Sequence, residues 1–114
     1  MTHQMRLNEE PFEMIEKSIK TIELRLLDEK RQSIHVGDKI EFIHAKNATR
    51  VINSRVIALH IFPSFEELYA SLPLLKCGYT KEDIHTAHSS DMDAYYSKEK
   101  QKEYGVVGIE IELI

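Results

Sequence analysis

Three ionisable side chains, Lys20, Glu23 and Arg25, have the types and the spacing needed for chemistry at a small site. In an extended segment, Glu23 and Arg25 share a face with Thr21, because strand side chains alternate with a period of two. A carboxylate placed there can accept hydrogen bonds from both cations, or the two cations can hold a phosphate or a carbonyl oxygen. The same side chains can also form a solvated salt-bridging surface, which is worth under about 1 kcal/mol.

Catalysis by this cluster would demand more than binding does. Lys20 would have to lose its proton through burial or through a neighbouring cation such as Arg25, and Glu23 would act as a general base on a water molecule. Binding requires only that the Arg25 guanidinium offers its planar fork to a phosphate or a base edge and that Lys20 supplies a point charge. We therefore expect a binding site first, and Lys20 with Glu23 as a catalytic pair only if the protein is an enzyme.

Aromatic side chains later in the chain can extend such a site. Tyr95 and Tyr96 offer faces on which a nucleic-acid base can stack with little sequence preference. Tyr104 has the same chemistry, and all three tyrosines can equally be amphipathic core residues. Stacking is predicted for Tyr95 or Tyr96, because the charged segment 98–103 leaves few other ligand contacts. The mixed signs of that segment at helical spacing indicate a solvated helix face.

The remaining residues with metal-binding or nucleophilic chemistry form weaker patterns. His85 and His88 lie three residues apart, with Asp91 and Asp93 following, but no HExxH motif occurs and neither histidine pairs with the lone Cys77. A nucleophilic Cys77 would need an activating histidine, which the sequence does not place. No metal and no cofactor are predicted.

A strand is predicted to carry the charged cluster. Residues 21–26 alternate strictly, so Ile22, Leu24 and Leu26 share the face opposite the polar side chains. Other strands are predicted from runs rich in Val and Ile, at residues 39–43, 51–62 and 106–114. Residues 51–62, the longest of these runs, are predicted to form one strand or two strands joined by a bend near Asn53. The polar residues 28–32 are predicted to form a loop.

Helices are predicted where capping residues precede apolar stripes. They span residues 9–18, a segment starting at Ser64, a short segment starting at Thr80, and residues 91–102. Asn8 is the expected cap of the first helix, and Ile19 belongs to its apolar stripe. Gly105 is the expected stop of the last. This order of helices and strands is typical of an α+β domain with a mainly antiparallel sheet.

Composition limits the classes of protein. The 114 residues are 42% hydrophobic and 30% charged, with four Gly and three Pro, which predicts one globular domain over residues 1–114. No apolar stretch has signal-peptide or membrane-span length, and a single cysteine fits a reducing compartment, so the expected location is the cytoplasm, without membrane contact.

Charge is spread unevenly along the chain. Residues 1–60 carry ten Lys/Arg and nine Asp/Glu, whereas residues 61–114 carry five and ten, and the formal net charge is −4. Tight non-specific nucleic-acid binding is disfavoured, because that affinity comes mainly from phosphate neutralisation. Recognition of a small ligand or of a few nucleotides by the first half stays open, as does a partner-binding role of the acidic second half.

Residues 15–25 resemble the signature of the ASCH family, GxKxxExR, with Lys20, Glu23 and Arg25 at its K, E and R positions and Ser18 at its Gly position. Residues 34–38 are similar to that family's VGD turn. The segments 95–97 and 104–109 resemble the end of one bacterial branch, so the similarity covers nearly the whole chain.

This resemblance implies a PUA-like β-barrel, mainly antiparallel with flanking short helices, and a cleft facing the signature. It further implies binding of RNA or of a modified nucleoside or nucleotide. The ligand-binding residues would be Lys20, Thr21, Glu23, Arg25, Tyr95 and Tyr96. One branch of the family hydrolyses N4-acetylcytidine with a Lys, a Thr and a Glu; Lys20 matches that Lys, whereas Glu23 stands at the Thr position. An amidohydrolase acting on N4-acylated cytidine is therefore the alternative.

Overall fold

Five strands form a single curled sheet in the computed structural model, which describes residues 1–114. The strands are β1 (Thr2–Leu7), β2 (Ile22–Leu26), β3 (Lys39–His44), β4 (Val51–Phe62) and β5 (Val106–Leu113). Their spatial order is β1-β3-β4-β5-β2; β1 pairs with β3 in parallel, and the other three pairings are antiparallel. The α+β class is confirmed, but the sheet is an open half-barrel, because no backbone pairing joins its two edge strands, β1 and β2.

Short helices and turns fill the connections. The α-helices are α1 (Glu9–Glu16), α2 (Glu29–Gln32), α3 (Phe65–Ser71) and α4 (Lys98–Tyr104), and 3₁₀ turns cover Leu74–Lys76, Ile84–Thr86 and Ser89–Ala94. None of these helices combines the length and the apolar character that crossing a membrane requires. Strand β4 is continuous, and its irregularity lies between Val56 and Ala58 rather than near Asn53.

The two faces of β2 contact different environments. Ile22, Leu24 and Leu26 belong to a buried cluster with α3 and the segment that follows it. Glu23 and Arg25 lie on the opposite face, because they stand across from β5 residues whose side chains belong to the larger core inside the half-barrel. The predicted separation of apolar and polar faces on this strand is confirmed. The charged cluster therefore borders the core inside the half-barrel, at the open edge of the sheet.

Helix α1 ends two residues earlier than predicted. Ser18 adopts a left-handed conformation with φ of 58°, its N–H donates to the Ile15 carbonyl, and the N–H groups of Ile19 and Lys20 donate to the Met14 carbonyl. This is a Schellman-type ending, in which a left-handed residue satisfies the last carbonyls of the helix. Ile19 consequently leaves the apolar stripe and is 53% exposed.

Three other predictions about helices are corrected. Asn8 occupies the N-cap position of α1, yet its side chain makes no capping hydrogen bond. Residues 28–32, predicted as a loop, form the single turn of α2, because the Asp28 side chain accepts from the Arg31 N–H. The segment after Thr80 forms only a 3₁₀ turn.

The predicted helix over residues 91–102 is two elements. A 3₁₀ turn ends at Ala94, and α4 begins after Ser97, whose side chain accepts from the Lys100 N–H. Tyr95 and Tyr96 therefore lie in the break between two elements rather than on a helix face. The predicted stop is confirmed, since α4 ends before Gly105, which has φ of 73°.

Strand β1 lies at the free edge next to the opening. The Leu7 carbonyl accepts from the chain that continues β3, so by alternation the carbonyls of Gln4 and Arg6 face away from β3. Lys30 Nζ donates to the Gln4 carbonyl at 3.2 Å, and Arg25 Nη2 donates to the Arg6 carbonyl at 3.3 Å. A side chain from β2, not a backbone ladder, spans the gap between the two edges.

Candidate functional site

A cleft of about 640 Å³ lies between the two edge strands, closed on a third side by the segment that follows α3. The edge strand β1 contributes Arg6 and Leu7 to its lining, and helix α1 contributes Met14. Strand β2 and the residue before Thr21 contribute the charged cluster predicted from the sequence. Three cationic and four acidic residues line the cleft: Arg6, Lys20, Arg25, Glu10, Glu23, Asp83 and Asp91. Because acidic residues outnumber cationic ones, the charge of this lining does not suit a highly charged polyphosphate.

Glu23 holds the two cations of the cluster in place. Glu23 is 4% exposed, and its carboxylate accepts from Lys20 Nζ at 2.7 Å through Oε1 and from Arg25 Nε at 2.8 Å through Oε2. Arg25 Nη2 also lies 2.8 Å from Oε2. Both carboxylate oxygens are therefore engaged, and two side chains with many rotamers are fixed on the wall of the cleft before any ligand arrives.

The charges of the cluster support one another. Burial by itself opposes ionisation of Glu23, but the adjacent charges of Lys20 and Arg25 outweigh burial and lower the pKa of the carboxyl below its ordinary 4.5. Burial also opposes the charge on Arg25, and Glu23 outweighs it, so the pKa of the guanidinium is raised. An ionised Glu23 is thus a fixed acceptor for its two cations at neutral pH.

The stem of Lys20 runs along the backbone of Gly78. A Cβ built at Gly78 would lie 3.5 Å from Lys20 Cδ, and this glycine has φ of 113°, a conformation that side chains rarely adopt. The neighbouring Cys77 is buried, and burial raises the pKa of its thiol to about 11. Cys77 is therefore a packing residue beside Lys20 rather than a thiolate nucleophile.

The two predicted stacking residues differ in accessibility. Tyr95 is 72% exposed and lines the cleft. Tyr96 also lines the cleft, but its ring stacks on Phe65 with centroids 6.1 Å apart. It packs against the outer cluster, the buried residues between the outer face of β2 and helix α3. Tyr95 is consequently the aromatic face available to a ligand, and Tyr96 is its support.

Thr21 does not line the cleft. Its N–H donates to the Lys76 carbonyl and its own carbonyl accepts from Ile111, so its backbone connects β2 to neighbouring segments. Of the six predicted ligand-binding residues, the structure therefore brings five together, and we leave Thr21 out of the candidate site.

Several lining residues were not found by sequence reasoning. Tyr69 and Tyr79 contribute hydroxyl groups, and Asp91 contributes a carboxylate that the sequence suggested only as a weak metal ligand. The described chain contains no group of three His, Cys, Asp or Glu side chains arranged to hold a metal ion. No local motif marks these three residues, since only the packing of the segment after α3 places them beside β2.

Comparisons with known proteins identify the family. The family model of the ASCH domain matches residues 5–114. The chain belongs to the ASCH domain family. The likeness predicted from residues 15–25 is thus confirmed over nearly the whole chain, and the cleft is a feature of an ASCH domain.

Two solved structures show the same fold. This ASCH domain is similar to the crystal structure of the hypothetical protein PH0355, with 33% identity, a TM-score of 0.80 and complete coverage of both chains. It is also similar to the solution NMR structure of protein PF0455 from Pyrococcus furiosus, with 36% identity and a TM-score of 0.70, over 100% of this chain and 98% of that one. Among curated proteins, none matches the chain.

The departure from the ASCH signature falls outside the cleft. Ser18 stands at the family's Gly position, where the backbone is left-handed, but it is exposed and does not line the cleft. The glycine of the signature therefore corresponds to the end of α1, and Ser18 does not block a ligand.

Proposed function

We propose that this ASCH domain, a PUA-like scaffold, binds a nucleotide unit, free or within RNA, in the cleft between its edge strands. The observation that carries the proposal is the buried Glu23 carboxylate, which fixes Lys20 and Arg25 as donors on the cleft wall. Lys20 Nζ has one partner for its three protons, and Arg25 Nη1 makes no hydrogen bond. These free donors suit a carbonyl or phosphate oxygen.

Tyr95 completes the proposed site. Its exposed ring can cover a base whose polar edge faces the charged cluster, and stacking of this kind contributes about 1–3 kcal/mol per base. The carboxylates around the cleft favour one nucleotide unit over a long backbone track. The single free Cys77 fits a reducing compartment, so a cytoplasmic location is part of the proposal.

Titration of short single-stranded RNAs, mononucleotides and nucleosides, followed by fluorescence anisotropy and calorimetry at low salt, tests this proposal. We expect saturable binding that weakens as salt is added, and at least about a tenfold loss in Lys20→Met and in Tyr95→Ala. Lys102→Ala, which removes an exposed cation on α4, and Tyr104→Phe are the matched controls, and both should bind normally. Circular dichroism confirms that each variant is folded.

The proposal fails if no ligand of the panel binds saturably. It also fails if Lys20→Met and Tyr95→Ala, shown to be folded, bind as tightly as the unchanged protein. Capture of a protein partner in pull-downs that is unaffected by Lys20→Ala and Arg25→Ala would support a partner-binding role of the acidic second half instead.

Hydrolysis of N4-acylated cytidine stays a prediction from the resemblance. The geometry gives it less support, because both oxygens of Glu23 already accept from cations, and those cations lower the pKa of the carboxyl, which makes Glu23 a weaker general base for a water molecule. Incubation with N4-acetylcytidine and chromatographic measurement of free cytidine tests it directly. Release of cytidine that is lost in folded Lys20→Met would make the protein an enzyme.

A further inference from the structure

A chain of hydrogen bonds leads from the cleft to the protein surface through Tyr69, Tyr79 and Asp91. The two tyrosine hydroxyl oxygens lie 2.6 Å apart, and the Tyr79 hydroxyl donates to Asp91 Oδ2 at 2.7 Å. The same oxygen of Asp91 accepts from the His88 N–H at 3.2 Å. All three members of the chain line the cleft, and the two rings meet edge to face at 5.8 Å.

The direction of the donors in this chain follows from counting protons. The Tyr79 hydroxyl has one proton, and it is directed at a carboxylate that can only accept. The proton between the two hydroxyl groups must therefore come from Tyr69. With its only proton engaged, the Tyr69 oxygen can accept a hydrogen bond from a ligand but cannot donate one.

The protonation states agree with this direction. Burial raises the pKa of Tyr69, so its hydroxyl stays protonated. The hydrogen bonds from Tyr79 and from the His88 N–H lower the pKa of Asp91, so it stays an ionised acceptor. The same Asp91 oxygen receives both donors, which fixes the chain at its outer end.

We infer that the Tyr69 hydroxyl oxygen selects ligands that offer an exocyclic amino group, with Tyr79 and Asp91 as positioning residues that keep it an acceptor. This inference rests on the proposed nucleotide binding and deepens it. Lys20 and Arg25 offer only donors, whereas Tyr69 offers only an acceptor. A base that carries an exocyclic amine together with a ring acceptor or carbonyl matches both. A base with a carbonyl in place of the amine leaves the oxygen of Tyr69 facing another oxygen.

Pairs of nucleosides that differ in this group test the inference. Adenosine against inosine, and cytidine against uridine, are titrated by calorimetry into the unchanged protein and its variants. We expect the amino member of each pair to bind about tenfold more tightly, because an unpaired acceptor in a binding site is costly. In Tyr69→Phe the ratio of the affinities of the amino and oxo nucleosides should fall close to one, whereas in Tyr104→Phe this ratio should be unchanged.

Two substitutions of Asp91 separate positioning from mere stability. Asp91→Asn keeps an acceptor oxygen for Tyr79 and for the His88 N–H, so the amino preference should survive. Asp91→Ala releases the Tyr79 proton, which lets Tyr69 rotate and donate, so the preference should be lost. The ratio of two affinities measured on one sample is insensitive to a small unfolded fraction, so a stability effect alone would not move it.

The outcomes distinguish failure of this inference from failure of the proposed nucleotide binding. Equal binding of amino and oxo nucleosides, or a preference that persists in Tyr69→Phe, overturns the inference and leaves nucleotide binding intact. Absence of binding by all four nucleosides and by RNA overturns both.

Discussion

At the scale of single residues, Glu23 decides the character of the site. Burial of a carboxylate is unfavourable by several kcal/mol in isolation, and only two close cations with good geometry reverse that balance. The lowered pKa of Glu23 shows that the cations prevail. Conversely, the charge of Glu23 is what allows the Arg25 guanidinium to stay ionised beside the core.

Glu23→Gln should lower the free energy of unfolding by about 3 kcal/mol, because it leaves two largely buried cations without their counter-charge. Urea denaturation followed by circular dichroism at neutral pH measures this. Glu110→Gln is the matched control on the neighbouring strand, where a half-exposed pair with His60 is worth under about 1 kcal/mol. Equal losses in the two variants would contradict the assigned role of Glu23.

The contribution of Glu23 should depend on pH in one direction. Its pKa is lower in the folded state than the ordinary 4.5, so the folded protein binds fewer protons there than the unfolded chain. The stabilisation is complete above that ordinary value and is lost as the pH falls through the folded pKa. The difference in unfolding free energy between the unchanged protein and Glu23→Gln should stay constant from about pH 7 to about pH 5.5 and shrink below about pH 4.5. A constant difference down to about pH 3 would contradict it.

Sequence reasoning found the charged cluster because its members are close along the chain. Glu23 and Arg25 alternate on one strand, and Lys20 precedes that strand by two residues, so local geometry brings them together. Tyr69, Tyr79 and Asp91 are separated by long stretches and meet only through tertiary packing. Thr21, predicted for the site because it alternates with Glu23 and Arg25, is not among the residues that line the cleft.

At the scale of elements, the end of α1 determines where Lys20 emerges. The left-handed turn at Ser18 reverses the chain and directs the N–H groups of Ile19 and Lys20 to the Met14 carbonyl. Ser18→Gly should raise the free energy of unfolding by about 0.5–1 kcal/mol, because relief of the left-handed strain exceeds the added flexibility of the unfolded chain.

Thermal and urea denaturation of Ser18→Gly and Ser18→Ala measure this effect. The Ala variant keeps a Cβ in the same conformation, so its stability should change by less than about 0.5 kcal/mol. Ligand binding should be unchanged in both, since Ser18 does not line the cleft. A loss of stability in Ser18→Gly would show that the turn is held by something other than this backbone geometry.

Elements with strong local signals were predictable, and elements that depend on their neighbours were not. Strand β2, the long β4 and the stop at Gly105 follow from alternation, from β-branched residues and from the need for a positive φ. Strand β1 is rich in polar residues, so its alternating burial becomes visible only once it pairs with β3. The break before α4 depends on a capping bond by Ser97 that competes with continued helix.

At the scale of the whole molecule, β5 separates two hydrophobic cores. Val107 and Ile109 belong to the core inside the half-barrel, whereas Val106 belongs to the outer cluster. Gly108 lies opposite Leu24 on the outer face, and the absence of its side chain lets Leu72 approach the sheet. A Cβ at Gly108 would lie 2.8 Å from Leu72 Cδ1.

Gly108→Ala should destabilise the protein by about 1 kcal/mol, since the end of the Leu72 side chain can move part of the way, and Gly108→Val should cost about 2–3 kcal/mol. Urea denaturation of the series measures the trend. Glu112→Ala, on an exposed part of the same strand, should change stability by less than about 0.5 kcal/mol. A Val variant as stable as the unchanged protein would mean that Leu72 and the outer cluster are not closely packed on β5 at Gly108.

The free edge of β1 also bears on how copies of the protein behave towards each other. An open sheet edge is a template on which another chain can add a strand, the first step of ordered aggregation. Lys30 and Arg25 already occupy the two carbonyls that an incoming strand would use. Their charges also repel a second copy approaching edge to edge with the same cations. The half-barrel can thus keep an open side for a ligand, while strand pairing between two copies of the protein at that side is disfavoured.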